Sequence, residues 1–286
     1  MNRQKGAIFF GSQQCYYPIF SHHNQTTSHS CRETIEHILL CSTSFFSTFA
    51  LNHHQFDKSL SPITMRRVIR FLFRVTLILF LWSVGSVVLY RYVPVPITPL
   101  MLREAVSSAL KGEPTTFHHE WVPMEEISPH FANAVIASED QRFYQHNGFD
   151  WEAIGDVIEE RMSGKRKRGG STISQQTAKN LFTFCTSTWA RKGIETYYTV
   201  LIEWIWPKER ILEVYLNSIE MGPAIYGAEA VARQHFNKSA SKLTRSECAL
   251  IAATLPNPKR YSSKNPSSYM RRRQNTILRQ MQLMGK

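Results

Sequence analysis

The sequence lacks the features that mark several common protein classes. Its five cysteines have no repeated spacing and include no CxxC pair, which argues against a disulfide framework and favours free thiols. No Walker A loop occurs, which argues against that type of nucleotide site. No HExxH pair occurs either, because His118-His119-Glu120 has the wrong spacing for a zinc peptidase. Ser239-Ala240-Ser241-Lys242 fits S-x-x-K, but no K-T-G follows and the chain is short for a transpeptidase domain. A disulfide framework, a Walker A nucleotide site, a zinc-peptidase site and a transpeptidase site are therefore not expected.

Alternating strand patterns are almost absent, whereas helical spacing of apolar residues recurs along the chain. Capping residues and prolines mark the helix starts. The predicted starts are Thr98-Pro99, Ser128-Pro129, Asp150, Ser171, about Ser187, Lys208, Tyr226, Thr244 and about Ser267. The sequence predicts a mainly α fold, with one helical domain over residues 94–286.

Acidic residues are scarce beside basic ones, and charge is missing altogether from one long segment. Lys and Arg number 34 against 22 Asp and Glu, a net charge of +12 that suits nucleic acid, an acidic membrane or a phosphate-bearing substrate as partner.

Residues 75–90 are uncharged, and with their flanks they reach the roughly 20 residues that cross a ~30 Å hydrocarbon core. Four arginines between residues 66 and 74 precede the span, so the positive-inside rule predicts a cytoplasmic N-terminus.

We therefore predict a basic start and a transmembrane anchor over residues 65–93. A cleaved signal peptide is the alternative, but the span is long and Val93-Pro94-Val95-Pro96 offers no cleavage site. Residues 1–64 show no sustained periodicity and no signal-peptide layout. Our hypothesis is that they are a non-native or disordered extension and that Met65 is the natural initiator.

Two polar stretches carry candidate chemistry. The first places Glu139 and Asp140 side by side and follows them with Phe143 and His146. Neighbours on a helix point about 100° apart, so the two acids cannot serve one substrate atom. One is a candidate for acid–base work and the other for orienting its surroundings. The simpler interpretation is an ordinary solvated acid pair at a helix end.

The second stretch, residues 169–180, has two glycines before a helix start and polar side chains on the first turns. Lys179 follows one turn beyond Gln175. A helix N-terminus with hydroxyls and a lysine is a candidate anion site, although a well-capped polar helix explains the same residues. Farther on, Arg191 lies four residues before Glu195, for which a surface ion pair is the simpler interpretation.

Five segments in order then resemble the motif set of a known family. They are EDQRFYQHNGFD (139–150), GGSTISQQTAKNL (169–181), RKGIE (191–195), KERILEVYLN (208–217) and YGAEA (226–230). The set resembles that of the peptidoglycan glycosyltransferases, glycosyltransferase family 51. With an anchor and no transpeptidase domain, the chain is similar to the monofunctional members in Gram-negative bacteria. The resemblance runs from about residue 65 to the C-terminus.

The resemblance implies a lysozyme-like helical domain that faces the periplasm from the inner membrane. It implies polymerisation of lipid II into β-1,4-linked glycan strands, with inversion and with release of polyprenyl diphosphate. Glu139 matches the family's general base, and Glu195 matches a second catalytic acid near the diphosphate. The positions implied to bind or position substrate are Asp140, Phe143, His146, Ser171, Thr172, Gln175, Gln176, Lys179, Asn180, Arg191, Lys192, Lys208 and Asn217.

No cofactor is required by the resemblance, although Mg²⁺ or Mn²⁺ could sit at the diphosphate, and no metal ligand is assigned. The implied partners are lipid II, the growing glycan strand, membrane lipids, and other proteins of cell-wall synthesis or division; nucleic acid is not expected. The sequence departs from the family pattern at Trp206-Pro207 and at Met221. Two other functions stay open: a lysozyme-like lytic enzyme, and an anchored basic scaffold that binds cell-wall polymer or acidic lipids.

Overall fold

The computed structural model describes residues 62–112, 116–163, 170–184 and 189–284. The chain divides into two compact units, residues 1–76 and 77–286. In the first unit the structure describes residues 62–76, which are helical. The predicted extension before residue 62 and the thiol of Cys185 lie outside the described residues.

The first helix, α1 (Pro62–Tyr92), contains the apolar run predicted to be an anchor. It is the one helix of the described chain that is long and apolar enough to cross a membrane. Large apolar side chains are exposed along it, including Trp82 at 75%. Water disfavours so much exposed apolar surface, whereas a lipid environment accommodates it, so the helix fits a single-pass anchor.

Burial on this helix begins near its C-terminal end, within the second unit. Val87 is fully buried, and the Trp206 indole Nε1 donates to its carbonyl at 2.7 Å. Arg210 Nη2 donates to the carbonyls of Tyr90 and Val93 at 2.9 and 2.7 Å. Trp206, a departure from the family pattern, is therefore a packing residue at the end of the anchor.

Beyond the anchor the described chain is helical with three very short strands, which confirms the mainly α prediction. The helices are α2 (Pro99–Leu110), α3 (Pro129–Glu139), α4 (Trp151–Met162), α5 (Ile173–Phe182), α6 (Trp189–Ile205), α7 (Lys208–Ser218), α8 (Ala228–Phe236), α9 (Arg245–Ala252) and α10 (Ser268–Met284). The strands β1 (His118–His119), β2 (Glu220–Gly222) and β3 (Ile225–Tyr226) form a sheet in the order β1-β3-β2. Strand β3 runs parallel to β1 and antiparallel to β2.

Helix α3 lies in the core and ends at the candidate base. Phe131, Val135 and Ile136 are buried, and three alanines of the same helix are buried as well. A helix that is apolar on nearly all sides belongs in a protein interior. It packs against α9 and α10, while α5 packs against α6 and α7. Cys248 on α9 is a buried free thiol, as predicted, and burial raises its pKa to about 12.

The helix starts follow the predicted capping signals with two corrections. The predicted start at Tyr226 is wrong, because Tyr226 lies in β3 and α8 begins at Ala228, with Gly227 as its N-cap. Thr244 and Glu247 form the predicted reciprocal box at the start of α9. Ser171 does not cap α5; Thr172 does, because its hydroxyl accepts the Gln175 N–H while the Gln175 side chain accepts the Thr172 N–H. Only Thr172 has a glutamine three residues later, which completes the box.

Candidate active site

Glu139 is the last residue of α3, and its carboxylate is held from two sides. Its Oε1 accepts a hydrogen bond from the Ser138 hydroxyl at 3.2 Å, and its Oε2 accepts one from Gln176 Nε2 at 3.0 Å. Gln176 Oε1 in turn accepts from the Tyr215 hydroxyl at 3.3 Å. Burial and the nearby carboxylates of Glu139 and Asp140 raise the pKa of Tyr215 well above its ordinary value, so the phenol remains a neutral donor. The Glu139 side chain itself is 14% exposed.

The Asp140 side chain points into the protein interior, away from the direction of Glu139, as the divergence of neighbouring side chains on a helix predicts. It is buried, its Oδ1 lies 2.9 Å from His146 Nε2, and its Oδ2 accepts the Ile173 N–H at 3.0 Å. It therefore ties the end of α3 to the loop that follows and to the start of α5. Phe143 is fully buried in the same loop, edge-on to the His146 ring.

The loop over residues 140–150 is fixed by ion pairing and by a glycine. Arg142 binds Asp150 through two nitrogens at 3.0 and 2.7 Å. Gly148 has a φ of +86°, and a Cβ there would lie 2.8 Å from Thr199 Cγ2. The Thr172 hydroxyl donates to the Gly148 carbonyl at 2.7 Å. Glycine is needed at this position both for the backbone angle and for the close approach of α6.

Lys208 contacts the same loop through the Phe143 ring and links it to Glu203 on α6. Its Nζ donates to Glu203 Oε1 at 2.8 Å and lies 4.5 Å from the centre of the Phe143 ring. The Ser174 hydroxyl also donates to Glu203. Glu203 belongs to no motif that the sequence analysis recognised. A charged residue inside the apolar pattern of α6 is the only signal that could have drawn attention to it.

A cationic cluster forms where α5 and α6 come together. Glu195 is 3% exposed, and its two oxygens accept from Arg191 Nη1 at 2.7 Å and from Lys192 Nζ at 2.5 Å. The predicted pair of Arg191 and Glu195 is confirmed, but its carboxylate is buried instead of lying on the surface. Lys179 lies nearby on α5, and its side chain is exposed.

Electrostatic coupling joins these four groups. Partial desolvation by the surrounding protein lowers the pKa of Lys179; Glu195 opposes this shift, and Arg191 and Lys192 add to it. Three cationic groups against one carboxylate leave a net positive charge. The Lys179 ammonium is both exposed and close to two further cations, so an anionic group could reach it from solvent.

The other predicted site residues divide by burial. Ser171 and Gln176 reach the surface, whereas Thr172, Gln175, Asn180 and Asn217 are buried. The Asn217 amide accepts from the Val122 N–H at 3.0 Å and donates to the Val122 carbonyl at 2.9 Å. Thr172 and Gln175 form the capping box of α5, and Asn217 connects α7 to Val122. The buried Nδ2 of Asn180, by contrast, has no hydrogen-bond partner among the described residues.

The acidic groups that could hold a divalent cation are already engaged by protein side chains and backbone. Asp140, His146 and Asp150 bring ligand atoms within 4.8 Å of one another. However, Asp140 is engaged by Ile173 and His146, and Asp150 by Arg142. Glu195 already accepts from two cationic side chains. Neither set of residues therefore suits a divalent cation.

The helical domain thus presents an oriented carboxylate, Glu139, and a separate cluster of three cationic side chains around Glu195. A family model described as Transglycosylase matches residues 105–282. A protein named biosynthetic peptidoglycan transglycosylase from Bacteroides thetaiotaomicron is 51% identical over 225 residues, which cover 79% of this chain and 91% of the relative.

Proteins of the same name show similar agreement in other bacteria. The one from Bdellovibrio bacteriovorus is 50% identical over 209 residues, covering 73% of this chain and 84% of the relative. The one from Pasteurella multocida is 50% identical over 215 residues, covering 75% and 86%. The chain therefore belongs to the transglycosylase family: it is a glycosyl-transferring enzyme of peptidoglycan synthesis with a lysozyme-like helical domain.

Proposed function

We propose that this enzyme polymerises lipid II, with Glu139 as the general base. The Glu139 carboxylate removes the proton from the 4-hydroxyl of an acceptor GlcNAc while that oxygen attacks C1 of the donor MurNAc. The new C1–O4 bond forms as the bond from C1 to the diphosphate oxygen breaks. Polyprenyl diphosphate leaves, and inversion gives a β-1,4 linkage.

The hydrogen bonds of Glu139 support this role. Ser138 and Gln176 engage one oxygen each, and each carboxylate oxygen keeps a further lone pair for a substrate proton. A base must be held within hydrogen-bond reach of its target, and two neutral donors fix the direction of this carboxylate. This oriented, partly exposed carboxylate at the end of α3 is the observation that carries the proposal.

The cationic cluster supports a diphosphate as the leaving group. Lys179, Arg191 and Lys192 would offset the charge that develops on the departing oxygen, and Glu195 holds two of them in place. Because a diphosphate leaves readily, the reaction needs less general-acid help than glycoside hydrolysis does. One base and one cationic site are then sufficient.

The anchor supports action on a lipid-linked substrate. We propose that α1 crosses the inner membrane once, with its arginines in the cytoplasm and the catalytic domain in the periplasm. Lipid II, the growing strand and membrane lipids are the proposed partners, together with other proteins of cell-wall synthesis or division.

The test incubates purified full-length protein with lipid II and, separately, with preformed glycan. We expect glycan polymer and released polyprenyl diphosphate from lipid II, and no digestion of the preformed glycan. Digestion without polymerisation would instead indicate a lytic enzyme. Binding to glycan or acidic vesicles with neither reaction would indicate a scaffold.

A further inference from the structure

The residue that stands out beyond the matched motifs is Arg273, on the last helix. In α10 the residues Met270, Gln274, Ile277 and Met281 form the buried stripe that packs towards α3 and α9. Arg273 flanks this stripe, and its side chain is 29% exposed, so most of it lies within the protein. Its guanidinium reaches the C-terminal end of α3, where Glu139 lies 134 residues before Arg273 in the sequence.

The guanidinium contacts the candidate base both directly and through a serine. Arg273 Nη2 donates to the Ser138 hydroxyl at 3.1 Å and lies 3.9 Å from Glu139 Oε1. In the described part of the chain, Glu139 is the one carboxylate within ion-pair distance of Arg273. A charge that is largely removed from water interacts more strongly with a nearby opposite charge than a surface charge does.

Ser138 has one hydroxyl proton and two acceptors within reach. Its Oγ lies 3.2 Å from Glu139 Oε1 and 3.4 Å from the Ala252 carbonyl. The hydroxyl can donate to only one of them at a time, while its oxygen accepts from Arg273. The positive charge beside Oε1 keeps the carboxylate turned towards this serine, and Gln176 holds the other oxygen.

We propose that Arg273 is a positioning residue for the catalytic base: through Ser138 and its own charge, it fixes the rotamer in which Glu139 faces the acceptor hydroxyl. The proposal rests on the proposed function of Glu139 as the base. Misplacing a base by a fraction of an ångström slows the chemical step more than it weakens substrate binding, because the lost geometry matters most in the transition state.

The experiment compares Arg273→Met, Arg273→Lys and Arg272→Met in the full-length enzyme with lipid II as substrate. Arg272 is the matched control, because it is exposed on the same helix and its side chain forms no hydrogen bond or ion pair with the described residues. We expect Arg273→Met to lower kcat on the order of 10-fold or more with little change in KM. Arg273→Lys should recover much of kcat because it restores the charge, and Arg272→Met should match the wild type.

A Ser138→Ala variant tests whether Arg273 acts through the serine. If the arginine acts through the serine, Arg273→Met should lower kcat by a smaller factor in the Ser138→Ala background than in the wild type. Wild-type kcat in folded Arg273→Met would overturn the proposal, as would a loss confined to KM or a lysine variant as slow as the methionine variant. Failure of the base assignment is recognised separately, because Glu139→Gln would then remain active.

Discussion

Tyr215 is fully buried, yet its hydroxyl influences the base through one intermediate side chain. It donates to Gln176, and Gln176 donates to Glu139. Tyr215→Phe keeps the ring and removes this hydroxyl, so a neutral hydrogen bond worth about 1 kcal/mol is lost. We expect a several-fold lower kcat with nearly unchanged KM, measured by steady-state kinetics on lipid II. Unchanged kcat in a variant that has lost stability would show that the hydroxyl serves only packing.

Lys179 gives the site a pH dependence that an ordinary lysine would not. Desolvation lowers its pKa, so the ammonium loses its proton at a lower pH than a free lysine does. Because the deprotonated amine cannot offset diphosphate charge, the KM for donor should rise with increasing pH through this lowered pKa.

Lys179→Arg is the matched control for that behaviour, because arginine keeps its charge throughout the accessible range. We expect the alkaline rise in KM to disappear in this variant and Lys179→Met to show a high KM at every pH. A wild-type KM that stays flat up to the ordinary lysine pKa would contradict a role for Lys179 in binding the donor.

At the scale of elements, the loop over residues 140–150 depends on one glycine. Gly148→Ala places a Cβ against Thr199 at a positive φ, and we expect it to lower the free energy of unfolding by about 1–3 kcal/mol. Gly155→Ala on α4 is the control, since its Cβ would meet no atom of the described chain within 4 Å apart from the backbone of its own helix.

Alanine in a helix interior is favoured over glycine, so the control should gain roughly 0.5–1 kcal/mol. Thermal or chemical unfolding of the two variants gives the comparison. If Gly148→Ala were as stable as the wild type, the packing of the loop against α6 would be different from that described.

Local patterns predicted the elements better than they predicted the contacts between them. Thr98, Thr244 and the Pro residues mark helix starts because capping acts within one turn. The divergence of Glu139 and Asp140 likewise follows from helix geometry alone. The shift from Ser171 to Thr172 shows that the complete capping box, and not the first hydroxyl, decides where α5 begins.

The supporting roles of Arg273 and Glu203 were not predictable in the same way. Arg273 is the third of three consecutive arginines, a pattern that usually indicates a solvated helix face. Its contact with the end of α3 arises because α10 packs there, which depends on the whole fold. Asn217 was assigned to substrate binding through the family resemblance, whereas its buried amide bonds to Val122.

At the scale of the whole molecule, the anchor decides where the enzyme can act. The proposed orientation places the domain after residue 94 in the periplasm. Protease added to spheroplasts should therefore degrade the domain, while inside-out membrane vesicles should protect it. Protection in spheroplasts would contradict the orientation. The assignment of residues 1–64 as a non-native extension stays a prediction.

The most direct measurement is polymerisation of lipid II by wild-type enzyme and by Glu139→Gln at equal concentration and confirmed folding. Glutamine preserves the size of the side chain but cannot accept the acceptor's proton as a carboxylate does. We predict that wild type forms polymer with release of polyprenyl diphosphate and that Glu139→Gln loses at least about 100-fold in rate. A Glu139→Gln enzyme that polymerised lipid II at the wild-type rate would contradict the account.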